Sequence, residues 1–212
     1  TPCIEIKEAK KKEVSTQPVE DVFAEYLDKS HTFDTFVVGE ANEFAYAAAK
    51  QIADEENVSF NPLYFYADVG LGKTHLMHAM AWRIKEKHPE KNVLYLSAEQ
   101  FFQRFIHGMQ CKNTEPFKEI FRHVDVLLLD DIQFIASKTQ TQEEFSQIFN
   151  ALTAKGKKVI LSAHCVPAEL KGIGEGLKNR LSQGLVVKIK PAGYDLRLGI
   201  LKEKLAKFTR NR

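Results

Sequence analysis

Cysteine is scarce in this chain: Cys3, Cys111 and Cys165 are the only three in 212 residues, and no two are spaced as a C-x-x-C pair. The odd, scattered set argues against a disulfide framework or a zinc site and for a reducing compartment. Long apolar runs are missing too. Even the aliphatic stretch Val126 to Leu129 falls far short of the ~20 residues that a membrane-spanning helix needs. No charged-then-apolar leader of the secretory kind opens the chain, so the expected location is cytoplasmic. It opens at Thr1 without an initiator Met, which reads as a piece of something longer. Neither charge sign is in excess. Thirty Lys and Arg against 28 Asp and Glu leave a net charge of +2, which neither requires nor excludes a nucleic-acid partner. Metal-ligand clusters are equally thin. His75 and His78 sit three apart on an expected helix, but no third ligand lies nearby, so they read as packing or surface histidines.

What is present is the composition of a globular domain, 44% hydrophobic and 27% charged. Residues 1–30 are the exception. They are rich in Lys, Glu, Thr, Gln and Pro, with the run Lys10-Lys11-Lys12-Glu13, and read as a linker or loosely held arm. Order is expected to begin near Phe33-Asp34-Thr35-Phe36. From there the pattern alternates. Asn42 to Glu55 carries a helical apolar stripe, and Leu63 to Tyr66 reads as a short aromatic strand. Thr74 to Lys87 follows as a helix and Asn92 to Leu96 as a strand, closed by the capping box Ser97-x-x-Gln100. Val124 to Leu129 is a buried-strand run, and Thr141-x-x-Glu144 is expected to cap a helix reaching Ala154. Val159 to Ala163 and Leu185 to Ile189 complete the strands, and Asp195 to Lys207 reads as a closing helix. Strands separated by helices of this length imply an α/β fold: a mostly parallel five-stranded sheet with helices on both faces.

Two segments carry chemistry. Ala67-Asp68-Val69-Gly70-Leu71-Gly72-Lys73-Thr74 lies between a strand and a helix, the context a phosphate-gripping loop requires. Small residues there let backbone N–H groups turn inward at a helix N-terminus and form an anion nest. Lys73 is then placed for the β- and γ-phosphates of a purine nucleoside triphosphate, and the Thr74 hydroxyl for Mg²⁺. One position departs from the strict G-x-x-x-x-G-K-[ST] pattern, Ala67 in place of the first Gly. A Cβ there costs on the order of 1 kcal/mol if the residue needs positive φ, and almost nothing otherwise. The second segment, Val126 to Asp131, is an apolar strand delivering two carboxylates at its C-terminal end, where parallel sheets hold ligands. Asp130 is placed to hold Mg²⁺ through water, and Asp131 to orient or deprotonate an attacking water. A chance Gly-Lys-Thr turn, or two acids ending a strand, are the bland readings of each segment alone. Together they point to ATP/ADP binding with Mg²⁺.

With both segments in hand, the surrounding residues resemble one family, the AAA+ ATPase domain of the bacterial replication initiator DnaA. The resemblance rests on Phe33-Asp34-Thr35-Phe36-Val37-Val38-Gly39, Ala45 to Ala49, Asn61-Pro62-Leu63 and Val69 to Leu76. Val124 to Phe134, Thr141 to Phe145 and Phe149 to Leu152 extend it, so it runs from about residue 31 to the end. It implies a P-loop AAA+ core over residues 31–192 and the start of a helical lid over 193–212. It further implies that Val37, Val38 and Gly39 line an adenine pocket, and that Val69, Gly70, Leu71, Gly72, Lys73, Thr74 and His75 hold the nucleotide with Asp130. Asp131 and Arg180 would be the catalytic pair, Arg180 reaching a neighbour's γ-phosphate as an arginine finger. Residues 98–122 would form an insertion through which protomers stack into a helical filament, and Ile106 and Lys138 would contact single-stranded DNA. Phe101, Phe102 and Phe105 could offer a base-stacking platform, but at helical spacing at least two of them belong in a core.

The implied function is ATP-dependent assembly on origin DNA that opens the duplex. Slow hydrolysis of ATP to ADP and phosphate acts as a reset, in the cytoplasm of a bacterium. Origin duplex would be held by a further C-terminal domain, and the replicative helicase is a further partner. Departures from the family's pattern keep an alternative open. His164 stands where the family has a sensor Asp, Gly176 where it has an intersubunit Arg, and Gln140 where it has a DNA-contacting basic residue. With Ala67, these motivate a regulatory paralogue that binds nucleotide without opening DNA. A helicase loader of related fold is the third reading.

Overall fold

The computed structural model describes residues 27–56 and 60–210. Five strands form one sheet in the order β2-β3-β4-β1-β5, and every pairing is parallel. In chain order the helices and strands are α1 (Glu43–Asp54), β1 (Leu63–Tyr66), α2 (Lys73–Lys87), β2 (Val93–Ser97), α3 (Ala98–Gln110), α4 (Glu115–Arg122), β3 (Val126–Asp130), α5 (Thr139–Ala154), β4 (Lys158–Ala163), α6 (Glu175–Leu181), β5 (Leu185–Lys188) and α7 (Tyr194–Arg210). Single 3-10 turns occupy Ile132–Ile135 and Pro167–Glu169.

The sheet is covered on both faces because its central strands are apolar at consecutive positions. Leu127, Leu129, Val159 and Leu161 face one core with Phe101, Phe105, Phe117, Phe121 and Phe145. Leu63, Phe65, Leu128 and Ile160 face the other with α1 and α2. A strand buried on both faces reads as a continuous hydrophobic run, which is how Val126 to Leu129 reads. Phe101 and Phe105 are core, as helical spacing suggested, while Phe102 is half-buried.

Local signals held where their hydrogen bonds are local. Gln100 N donates to Ser97 Oγ (3.1 Å) and Ser97 N to Gln100 Oε1 (2.9 Å), closing the expected capping box. The second expected box did not form. The α5 helix begins at Thr139 after Lys138, so Thr141 is one turn inside it and 1% exposed, and Glu144 pairs with Lys118 at 3.4 Å. One tertiary and one local turn bond fix the chain just before the helix: Ser137 N donates to Gly172 O (2.8 Å) and Lys138 N to Ile135 O (3.1 Å).

The composition-based boundary at residue 30 also shifts. Leu27 is buried in the α1–α2 core, Asp28 N donates to His78 Nδ1 (3.1 Å), and Trp82 Nε1 donates to Asp28 O (2.9 Å). The rest of the expected arm, residues 1–26 with Cys3, lies outside the described residues.

Candidate functional site: a phosphate loop, a carboxylate strand and a lid helix

Parallel strands end on one edge of the sheet, and the site is built there. The β1 strand runs out of Tyr66 into the loop 67–72, which ends as the N-terminus of α2. Gly72 precedes the helix with φ 96°, in the left-handed region. A Cβ on Gly72 would also sit 3.2 Å from the Phe36 ring, so both backbone and space call for glycine. No side chain caps this helix start, which leaves first-turn amides and the positive end of the helix dipole directed at the loop. Gly70 likewise has φ 82°. Ala67 does not: it is absent from the positive-φ positions, so its Cβ carries no backbone strain. Lys73 is buried, and its Nζ donates to Ala67 O (2.8 Å) and Asp68 O (3.1 Å), so the ammonium lies inside the loop's curve.

Asp130, at the end of β3, is 3% exposed and accepts three side-chain hydroxyls. Thr74 Oγ1 donates to Oδ2 at 2.6 Å and Tyr95 OH donates to the same oxygen at 3.0 Å, while Ser162 Oγ donates to Oδ1. Burial pushes the Tyr95 phenol far above its usual pKa, with the Asp130 carboxylate adding to it, so this hydroxyl stays a donor. Ser162 also accepts from Asp131 N at 2.9 Å. It sits on β4, between the strand of the phosphate loop and the strand of the carboxylates, and ties the two together. Asp131 follows in a left-handed conformation (φ 58°, ψ 53°), exposed, with Gln133 Nε2 donating to its Oδ1 at 2.9 Å.

A cavity of about 430 Å³ joins these parts, a size usual for small-molecule sites. Gly70, Leu71, Gly72, Lys73, Thr74 and Asp131 line it from the loop and carboxylate side, Phe36, Val37, Leu196 and Ile200 add apolar surface, and Val69, His75, Glu203 and Lys204 also line it. The loop groups suit phosphates and the apolar groups an aromatic base. The hydroxyl–carboxylate pair Thr74–Asp130 offers the oxygen ligands that Mg²⁺ takes. Among the described residues no group of three or more His, Cys, Asp or Glu could hold a metal ion.

Of the residues expected from sequence, Val37 lines this cavity. Val38 is 44% exposed, and Gly39 lies in a neighbouring cleft against Leu196. Their segment is fixed by Asn42, whose Oδ1 accepts from Gly39 N (2.8 Å) and whose Nδ2 donates to Val37 O (3.0 Å). Arg180 is on α6, Ile106 on α3 and Lys138 just before α5, and none of the three lines the cavity. Lys138 lies 4.8 Å from the Phe102 ring centre and 4.0 Å from that of Phe134, with Phe134 36% exposed. His75 stacks on His31 at 4.4 Å, and its Nε2 lies 3.0 Å from Thr32 O. Sequence reading gave no site role to Tyr95, Ser162, Phe36, Leu196 or Ile200. Each reaches the site from a distant element, and only the polar type of Tyr95 and Ser162 within apolar strands hinted at a task.

The family model described as the bacterial DnaA ATPase domain matches residues 27–188. The chain belongs to the DnaA family. The chromosomal replication initiator protein DnaA of Ruegeria sp. (strain TM1040) is 53% identical over 194 residues, which are 92% of this chain and 41% of that protein. The chain therefore spans about two fifths of the length of its curated DnaA relatives. Domain III of the Thermotoga maritima DnaA superposes with a TM-score of 0.84 at 34% identity, covering 86% of this chain and 76% of that one. A DnaA solved with AMPPCP and single-stranded DNA superposes at 0.80 with 36% identity, over 87% of this chain and 57% of that one. The parallel sheet, the helices on both faces and the phosphate loop here are those of the DnaA AAA+ domain.

Proposed function

We propose that this domain binds ATP with Mg²⁺ and uses the nucleotide as an assembly switch for replication initiation. The observation that carries this reading is one cavity lined by a glycine-turned helix N-terminus with Lys73, by Thr74, which donates to Asp130, and by apolar residues of α7. The likeness to a DnaA bound to AMPPCP and single-stranded DNA supports it. In this reading Lys73 and the loop amides bind the phosphates, and Thr74 and Asp130 hold the cation. Bound Mg²⁺ supplies neutralisation of phosphate charge. Asp131, exposed at the cavity and fixed through Ser162, orients the water for slow hydrolysis to ADP and phosphate.

Arg180 acts on a neighbouring protomer. Among the described residues its guanidinium is in no ion pair, and it does not line its own chain's cavity. ATP in one protomer and Arg180 from the next complete an interface that repeats as a helical filament. Lys138 with the Phe102 and Phe134 rings, and Ile106 nearby on α3, form the contact for single-stranded DNA, through backbone charge and stacking. Origin duplex is bound by a DNA-binding segment beyond these residues, and the replicative helicase is a downstream partner, in the cytoplasm of a bacterium.

A regulatory DnaA-like protein is the second reading, favoured by His164, Gln140 and Gly176. Ala67 no longer favours it, because its backbone is unstrained. Cross-linking the full-length protein on origin DNA separates the two. The initiator reading expects a ladder of oligomers with ATP, absent with ADP and absent in Arg180→Ala. A wild type that stays monomeric with ATP on that DNA removes it and leaves the regulator.

A further inference from the structure

The buried amide of Gln142 takes no part in the nucleotide cavity, yet all of its bonds go to segments that carry functional side chains. Its Nε2 donates to Ile135 O (3.0 Å) and to Gly172 O (2.7 Å), and its Oε1 accepts from Gly174 N (3.1 Å). Ile135 ends the 3-10 turn that starts just after Asp131, and Lys138 follows three residues later. Gly174 caps the N-terminus of α6, the helix bearing Arg180, and its carbonyl accepts from Leu177 N and Lys178 N.

The two segments are locked to each other by backbone as well. Ser137 N donates to Gly172 O at 2.8 Å. Gly172 has φ 73°, and a Cβ on it would lie 2.6 Å from Ser137 Oγ and 3.0 Å from Ser137 N. The approach is therefore as close as glycine allows. Between these loops only a planar side chain with two donors and one acceptor satisfies two carbonyls and one amide at once, and Gln142 is that side chain.

A seven-residue helix such as α6 has little stability of its own and takes its direction from how its start is held. We infer that Gln142 is a positioning residue for Arg180: its amide fixes the capping residue just before the arginine-bearing helix to the segment running from Asp131 to Lys138. The inference rests on the reading of Arg180 as the residue that contacts a neighbour's nucleotide. With Gln142 in place, the guanidinium of each protomer is presented at a set position relative to its own carboxylate and DNA-contacting segment. Without it, α6 keeps its sequence and loses that reference.

The test uses the full-length protein and three variants: Gln142→Met, which removes all three bonds at similar volume, Arg180→Ala, and the double variant. ATP affinity, thermal midpoint and the protein concentration at half-maximal ATP-dependent assembly on single-stranded DNA are measured for each. Amide exchange of residues 172–181 reports the local effect. For Gln142→Met the expected ATP affinity is within about twofold of wild type. Exchange over 172–181 is faster, and the assembly midpoint rises about tenfold, the worth of one or two net hydrogen bonds. Added to Arg180→Ala, it causes no further loss, because both act through one guanidinium.

Unchanged assembly in a folded Gln142→Met protein overturns the inference. So does a parallel fall of ATP affinity, thermal midpoint and assembly, which is the mark of general destabilisation. So does a further loss on top of Arg180→Ala. If Arg180→Ala itself assembles like wild type, the underlying functional reading fails, and that arm shows it separately.

Discussion

Ser162 and His78 are the single residues on which most depends beyond the phosphate loop. Ser162 has no exposed surface, donates to Asp130 and accepts from Asp131 N, so removing its oxygen strands a carboxylate oxygen and an amide together. Each orphaned buried group costs about 1–3 kcal/mol. Ser162→Ala is expected to lower stability by roughly 2 kcal/mol in urea titration and to slow ATP turnover more than it weakens ATP binding, since Asp131 loses its orientation.

His78 is buried against Tyr95 and accepts from Asp28 N, and burial, with the nearby His31 second, holds its pKa below the ordinary 6.5. The neutral ring is the folded form. The unfolded chain takes up this proton below about pH 6.5 while the folded one resists it, so the stability is present above that pH and lost as pH falls through and below it. The thermal midpoint is expected to drop between pH 7.5 and pH 5.5, and His78→Asn, which keeps an acceptor and cannot titrate, to show a shallower drop. Equal slopes would rule out His78 as the source.

The element scale shows where sequence patterns stop. The Ser97–Gln100 box was legible because both bonds lie within four residues. Thr141–Glu144 has the same lettering and a different fate, because the start of α5 is set by Gly172 and Ile135 and not by its own side chains. The short helix α6 carried no strong apolar stripe, and it escaped detection although its arginine did not. Lys158 escaped too. A lysine opening a buried strand looks like a solvated edge residue. Here its Nζ donates to Ile52 O (2.7 Å) and Glu55 O and so caps the C-terminus of α1, where a cation suits the helix dipole. Burial lowers its pKa. Lys158→Met keeps the stem's packing and leaves those carbonyls without it, at an expected cost of about 2 kcal/mol in a urea unfolding curve. A cost near zero would mean that water replaces the ammonium.

For the whole molecule, the parallel five-stranded sheet and the meeting of loop and carboxylates followed from alternating helix and strand patterns with two short motifs, whereas the strand order β2-β3-β4-β1-β5 did not. The cavity's apolar wall did not. Phe36 lies far in sequence from Leu196 and Ile200 of α7, and each is an ordinary core-type residue until the fold brings α7 over the loop. The same distance hid Tyr95, which reaches Asp130 from a neighbouring strand. Within the DnaA family the fold is shared widely. In this chain Ala67 carries no positive φ, and no described atom lies within 4 Å of where a Cβ on Gly176 would sit.

The central claim is that the loop ending in Gly72-Lys73-Thr74 holds a nucleoside triphosphate, and equilibrium ATP titration with Mg²⁺ tests it most directly. The wild type is expected to bind. Lys73→Ala is expected to lose about a hundredfold in affinity, the worth of one or two charge-assisted hydrogen bonds, with its thermal midpoint little changed. A Lys73→Ala protein that binds ATP as tightly as wild type would contradict the account.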